Sequence, residues 1–165
     1  MRWPPTDRAR SVEWTNKGYH VQGWLLAPKT EPGLTYPMIV QIHSGPSSAV
    51  SPTYLWKGTD AMLIQKAYFI FLPNPRGSYG QGEAFTKANV RDFGGDNLRD
   101  ILTGVDAVER IATVDDKRLG AFGHSYGGFM TMWTVTHSPR FKGAVAGASI
   151  GDWMATTARM ASTSG

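Results

Sequence analysis

Apolar positions along this chain switch between two periods, and the switches mark out its elements. "SVEW" and "YHVQGWLLAP" flank "TNKG", where Asn16, Lys17 and Gly18 favour a turn, so residues from Ser11 onward predict an antiparallel hairpin. Glu31 to Pro37 is a loop. "MIVQIH" (Met38 to His43) is a short apolar strand, followed by a long loop of small residues, "SGPSSAVSPTY". A helix is expected from about Thr59 to Lys66, capped by Thr59 or Asp60. "YFIFLP" (Tyr68 to Pro73) is apolar on both faces, as a buried parallel strand requires.

After the glycine-rich loop "NPRGSYGQG", Asp96 is placed to cap a helix. Leu98, Ile101, Leu102, Val105 and Val108 form its apolar stripe. Asp115 and Asp116 read as a turn, and "KRLGAFGH" as the next strand. Tyr126, Phe129, Met130 and Trp133 recur at helical spacing, so a helix starts immediately after Ser125. "FKGAVAGA" (Phe141 to Ala148) is a further strand, and "TTARMASTSG" shows no clear element. A hairpin followed by alternating strands and helices predicts an α/β fold with a mostly parallel sheet.

Composition adds exclusions. The 165 residues are 41% apolar and 18% charged, ordinary for one globular domain with a core. The net charge of +4 comes from scattered basic residues, with no run of the kind that grips nucleic acid. The absence of cysteine excludes disulfides and thiolate metal sites. No histidine–carboxylate cluster suggests a metal, and "GQG" near Tyr79 is no phosphate loop. No apolar run is long enough to span a membrane, and no leader peptide is visible after Met1. The compartment, cytoplasmic or exported, stays open.

The chemistry concentrates in Gly123-His124-Ser125-Tyr126-Gly127. A serine hydroxyl becomes a nucleophile only when exposed, oriented and adjacent to a base. A sharp turn from strand to helix supplies the exposure, and its tightness demands small residues two before and two after the serine. Gly123 and Gly127 meet that demand, and Gly128 leaves room for the helix on the sheet. The Tyr126 N–H then lies at a helix N-terminus, aimed where an oxyanion forms.

"GHSYGGFMTMWTVTH" resembles the nucleophile region of the prolyl oligopeptidase family of serine peptidases, in particular its acylaminoacyl-peptidase and dipeptidyl-peptidase branches. "YPMIVQIHSGP", "FLPNPRGSYGQGEAF", "DFGGDNLRDILTGVD" and "RFKGAVAGASIGDW" resemble the same catalytic domain in the same order, from about Ser11 to Trp153. The resemblance implies an α/β-hydrolase fold, a peptide substrate and no cofactor. Ser125 matches the nucleophile and Tyr126 one oxyanion donor. "HSGP" matches the family's His-Gly-Gly-Pro turn, placing Gly45 at the second donor. Ser44 departs from the family's glycine, and a Cβ there could shift Gly45, so glycine at position 44 is expected to keep or raise activity. A carboxylesterase on the same scaffold, or a non-catalytic binding protein that keeps the turn, remains open at this point.

Neighbouring residues receive structural readings. His43 holds the turn by a hydrogen bond, His124 packs away from the serine, and Arg76 fixes its loop by satisfying carbonyls rather than meeting a substrate carboxylate.

The base is missing. In this fold the triad follows the order serine, acid, histidine. Of the four histidines only His137 follows Ser125, twelve residues on along one helix and so roughly 18 Å away at about 1.5 Å per residue. Asp152 is the sole carboxylate after Ser125, and it comes too early for the family pattern. The expectation is that residues 1–165 form one partial α/β-hydrolase domain, truncated at the C-terminal side. A β-propeller of the kind such families carry would lie outside it on the N-terminal side. The chain by itself is expected to be poorly soluble or partly unfolded, and inactive.

Overall fold

The computed structural model describes residues 9–51 and 58–151. Ten elements follow in chain order: β1 (Arg10–Asn16), β2 (Tyr19–Leu26), β3 (Tyr36–Ile42), α1 (Thr59–Gln65), β4 (Phe69–Asn74), α2 (Glu83–Lys87), α3 (Gly95–Glu109), β5 (Val114–His124), α4 (Tyr126–His137) and β6 (Phe141–Gly147). Six strands form one sheet in the order β1-β2-β4-β3-β5-β6. The hairpin β1–β2 joins β4 antiparallel, and β4, β3, β5 and β6 run parallel. The alternating pattern and mostly parallel sheet expected from the sequence are thus present.

The two faces are covered unequally. Helices α3 and α4 press Ile101, Val105, Val108, Tyr126 and Met130 against Met38, Val40, Phe71 and Leu119 on one face. On the other, α1 covers a smaller cluster of Ile64 with Leu26, Ile70 and Leu72. Beyond α1 that face opens into a cavity of about 540 Å³ lined by Leu63, Ile39, Phe122 and Val145. β6 lies at the sheet edge with every residue after Phe141 exposed or half-buried, and Val145 is 63% exposed.

The hairpin is pinned by a buried ion cluster. Arg76, just beyond β4, donates from Nε to Asp100 Oδ2 at 2.8 Å and from Nη2 to Oδ1 at 2.8 Å. Its backbone N–H also reaches Oδ2, and its Nη1 reaches Asp96 Oδ2 at 2.9 Å. Asn16 donates to Asp100 and the Trp14 indole to the Asp100 carbonyl, so one helical turn of α3 holds both β1 and the loop after β4. Arg76 therefore fixes its loop through carboxylates rather than carbonyls.

Four local expectations change. Gly58 (φ 93°) precedes α1 with no side-chain cap, so neither Thr59 nor Asp60 caps it. The α3 N-terminus is capped from outside by Asp92, which accepts from the N–H groups of Gly95 (2.7 Å) and Asp96 (3.0 Å). Asp96 instead takes Arg76 and Lys17, whose hydrogen bond is the main reason its carboxyl is held below the usual range. β5 starts at Val114, before Asp115 and Asp116. Its pairing with β3 jumps from Tyr36↔Val114 to Met38↔Leu119, so the expected turn is an irregularity within the strand. Helix α2 went unforeseen because its five residues bury only Phe85, too few for a period to register.

Asp100 is fully buried and Arg76 nearly so. Replacing Asp100 with Asn removes the fully buried counter-charge and leaves the Arg76 guanidinium with the more exposed Asp96 alone; stranding a buried charge completely costs about 3–5 kcal/mol, which sets the upper limit for the loss. Urea unfolding of Asp100→Asn in the intact protein should show that loss; a loss below about 1 kcal/mol contradicts the cluster's role.

Candidate active site

β5 ends at His124 and α4 begins at Tyr126, so a single residue makes the turn. Ser125 adopts φ 57° and ψ −121°. Side chains with a Cβ seldom hold positive φ, and such strain costs on the order of 1–3 kcal/mol unless the surroundings impose it. Here they do. The Ser125 N–H donates to Gly147 O on β6 at 2.9 Å, and its carbonyl accepts from Phe129 N–H at 3.0 Å.

Glycines make the turn sterically feasible. A Cβ on Gly123 would stand 2.2 Å from Gly127 O, and one on Gly127 would stand 2.1 Å from Ile42 O. Both obstacles are backbone and cannot rotate away. A Cβ on Gly128 would meet Gly147 O at 2.8 Å, where α4 crosses the end of β6. The Ser125 side chain is half-buried, and among the described residues nothing hydrogen-bonds its hydroxyl.

Tyr126 separates two roles. Its ring is buried and its hydroxyl donates to Phe93 O at 2.9 Å. Burial, with the Asp92 charge adding to it, pushes the phenol well above the ordinary tyrosine range. Its backbone N–H, at the first helical position, has no carbonyl one turn earlier to bond, and the helix dipole favours negative charge there.

The turn after β3 lies alongside, because Ile42 pairs with Gly123 in the sheet. These are the carboxyl ends of β3 and β5. From β3 the chain crosses toward β4, and from β5 toward β6, so the site occupies the point where strand order reverses, the usual ligand position in such sheets. Gly45 has φ 141°, a conformation suited to glycine. His43 Nδ1 lies 2.7 Å from Ser44 O and Nε2 lies 2.9 Å from Ser78 Oγ. A carbonyl only accepts, so Nδ1 donates to Ser44 O, and Nε2 faces the Ser78 hydroxyl, which itself donates to Pro75 O at 2.6 Å. Burial lowers the His43 pKa, against a smaller opposing effect of the Ser44 carbonyl. His43 thus ties the turn to the loop that Arg76 anchors.

The other candidates disperse. The His124 side chain is exposed rather than packed in the interior. His137 stacks on Trp133 at 3.9 Å, with Nδ1 donating to the Trp133 carbonyl, and His20 pairs with Glu13 on the hairpin. Asp152 lies outside the described residues. Arg76 is buried, with its guanidinium paired to Asp96 and Asp100, and so is not presented to a substrate carboxylate. Among the described residues no three His, Asp or Glu side chains gather as metal ligands, and no helix is long and apolar enough to cross a membrane. Sequence reasoning missed the Ser44 hydroxyl, which donates to His124 O at 2.9 Å, and nothing in the residue order signals it.

The pattern of the prolyl oligopeptidase family matches residues 57–163. An uncharacterized peptidase of Bacillus subtilis, YuxL, is 43% identical over 142 residues, 85% of this chain and 21% of that protein. Dipeptidyl-peptidase 5 of Porphyromonas gingivalis is 33% identical over 148 residues, 89% of this chain and 22% of that protein. The solved acylaminoacyl peptidase of Pyrococcus horikoshii superposes with a TM-score of 0.86 at 30% identity, over 94% of this chain and 25% of that one. The fold is that of the α/β-hydrolases, and the chain spans about a fifth of the length of the curated relatives it matches.

Two outcomes follow from this geometry. In the protein extended to the length of its relatives, Gly127→Ala should abolish labelling by a fluorophosphonate or prevent folding. Gly143→Ala, where an added Cβ meets nothing within 4 Å, should do neither; parental labelling and melting temperature in Gly127→Ala contradict the steric account. For His43, the lowered pKa means that the unfolded chain takes up the proton first as pH falls. The neutral ring's contribution to stability is therefore complete above the ordinary value of about 6.5 and erodes below it. An imidazole NMR titration should place the His43 midpoint under 6.5, and a midpoint near 7 contradicts this.

Proposed function

This chain belongs to the prolyl oligopeptidase family of serine peptidases, and from that membership we propose that it carries the nucleophile and oxyanion-binding half of a site that cleaves short peptides through a seryl acyl-enzyme. The observation that carries the reading is the strained Ser125 backbone at the strand-to-helix turn, beside an N–H with no partner inside the helix.

In the proposed reaction Ser125 Oγ attacks the scissile carbonyl carbon as its proton passes to a general base. The carbonyl oxygen takes the negative charge and is met by the N–H groups of Tyr126 and Gly45. Collapse breaks the C–N bond, the amine leaves with a proton returned by the base, and the acyl group stays on Ser125. Water then repeats the attack and releases the acid. Removing one such oxyanion donor typically costs about 10²–10³ in kcat.

The base and its acid belong, on this proposal, to a part of the enzyme outside these 165 residues. His137 is engaged one turn back on α4, and the other histidines precede the serine. The exposed β6 edge and the apolar cavity beside α1 give further elements a surface to cover. A partial hydrolase domain, joined in the full protein by C-terminal strands and an N-terminal propeller that admits only short peptides, accommodates both observations.

The test compares this chain with a version extended to the length of its relatives, on paired chromogenic peptides and esters. The extended protein should hydrolyse the peptides, Ser125→Ala should lower turnover by at least about 10³, and the 165-residue chain should show none. Serine-dependent turnover by the short chain contradicts the missing-base proposal, and turnover surviving Ser125→Ala contradicts the nucleophile.

A further inference from the structure

Ser44 stands next to the proposed second oxyanion donor. Its main chain and side chain are both held: the carbonyl accepts from His43 Nδ1 at 2.7 Å, and Oγ donates to His124 O at 2.9 Å. The two bonds have different destinations. The first fixes the Ser44–Gly45 peptide, whose N–H is Gly45's. The second reaches across from the β3 turn to the residue that directly precedes Ser125. Glycine at this position would keep the first bond and lose the second.

We propose that Ser44 is a positioning residue: its hydroxyl clips the oxyanion turn to the nucleophile turn and so sets the spacing between the Gly45 and Tyr126 N–H groups. This rests on the reading of Ser125 as nucleophile. It reverses the expectation that glycine at position 44 would keep or raise activity.

The physical reason is preorganisation. The β3 and β5 turns are joined through the sheet up to Ile42 and Gly123, and past that point the ladder ends. Gly127 packs on the Ile42 and His43 carbonyls, which limits approach but does not fix rotation of the next peptide. The Ser44–His124 bond is the described link beyond the last ladder pair that ties the Gly45 side of the site to the elbow. Oxyanion donors act through fixed direction, so slack between them lowers transition-state binding and leaves ground-state binding of the peptide intact. The link is exposed, and water competes for both groups, so its contribution is modest.

The experiment uses the full-length enzyme with Ser44→Gly, Ser44→Ala and Ser44→Thr, assayed on a short peptide substrate. The expected result for Gly and Ala is a fall in kcat of three- to tenfold with KM within twofold of the parent. Thr, which keeps the hydroxyl, should restore most of kcat. Affinity for a peptidyl boronate, which forms a tetrahedral adduct, should fall in parallel with kcat, and inhibition by the cleavage-product peptide should not change. Parental or higher kcat in Ser44→Gly overturns the proposal. So does a loss that Thr fails to restore, or one that appears in KM. Ser125→Ala separates the two levels: if it leaves turnover intact, the nucleophile reading fails; if it abolishes turnover while Ser44→Gly is unaffected, only the clip fails.

Discussion

The site rests on a close approach of three backbone segments. The Gly127 α-carbon packs against the Ile42 carbonyl, and Gly123 against the Gly127 carbonyl, at distances that admit no Cβ. Strand β3, strand β5 and the first turn of α4 therefore meet without side chains between them. That contact forces the chain from strand into helix within one residue and leaves Ser125 at positive φ. A half-buried hydroxyl set at the turn and a helical N–H with no partner inside the helix both follow from it. The same contact places the turn after β3 beside the elbow, since Ile42 serves at once as sheet partner of Gly123 and as floor for Gly127.

A second layer of bonds carries rigidity outward from that contact. Asp100 on α3 holds Arg76, the loop after β4 holds Ser78, and Ser78 meets His43. From His43 the path continues through the Ser44 carbonyl to the peptide of Gly45. A charge pair buried beneath the hairpin is thus connected, through its own loop and the side chains of Ser78 and His43, to the turn proposed to bind the oxyanion. Tyr126 adds a parallel path, with its buried hydroxyl on Phe93 O one residue from the glycines that open α3. Polar groups that would be costly to bury alone are satisfied by one another along this path.

Much of this was legible in the residue order. Period-two and period-3.6 stretches gave all six strands and the three longer helices, and the spacing of Gly123, Ser125 and Gly127 marked the elbow because its steric requirement is local. What escaped depends on contacts distant in sequence. Arg76 showed no sign of choosing Asp100 over loop carbonyls, since the choice is made by where α3 packs. Asp96 looked like a cap by position, but Asp92 lies four residues earlier on a chain that folds back to reach the same N–H groups. Ser44 read as a misfit against a glycine pattern, because its partner is a backbone carbonyl 80 residues away. The short α2 carries a single buried side chain, which no periodicity can report.

The claim on which the account turns is that Ser125 forms the covalent bond to substrate. Its most direct test is to treat the full-length enzyme with a peptidyl diphenyl phosphonate, digest it with trypsin and locate the adduct by fragmentation. The account predicts one adduct, in the peptide Leu119–Arg140 and on Ser125 rather than Ser138. An adduct on another residue of the active enzyme would contradict it.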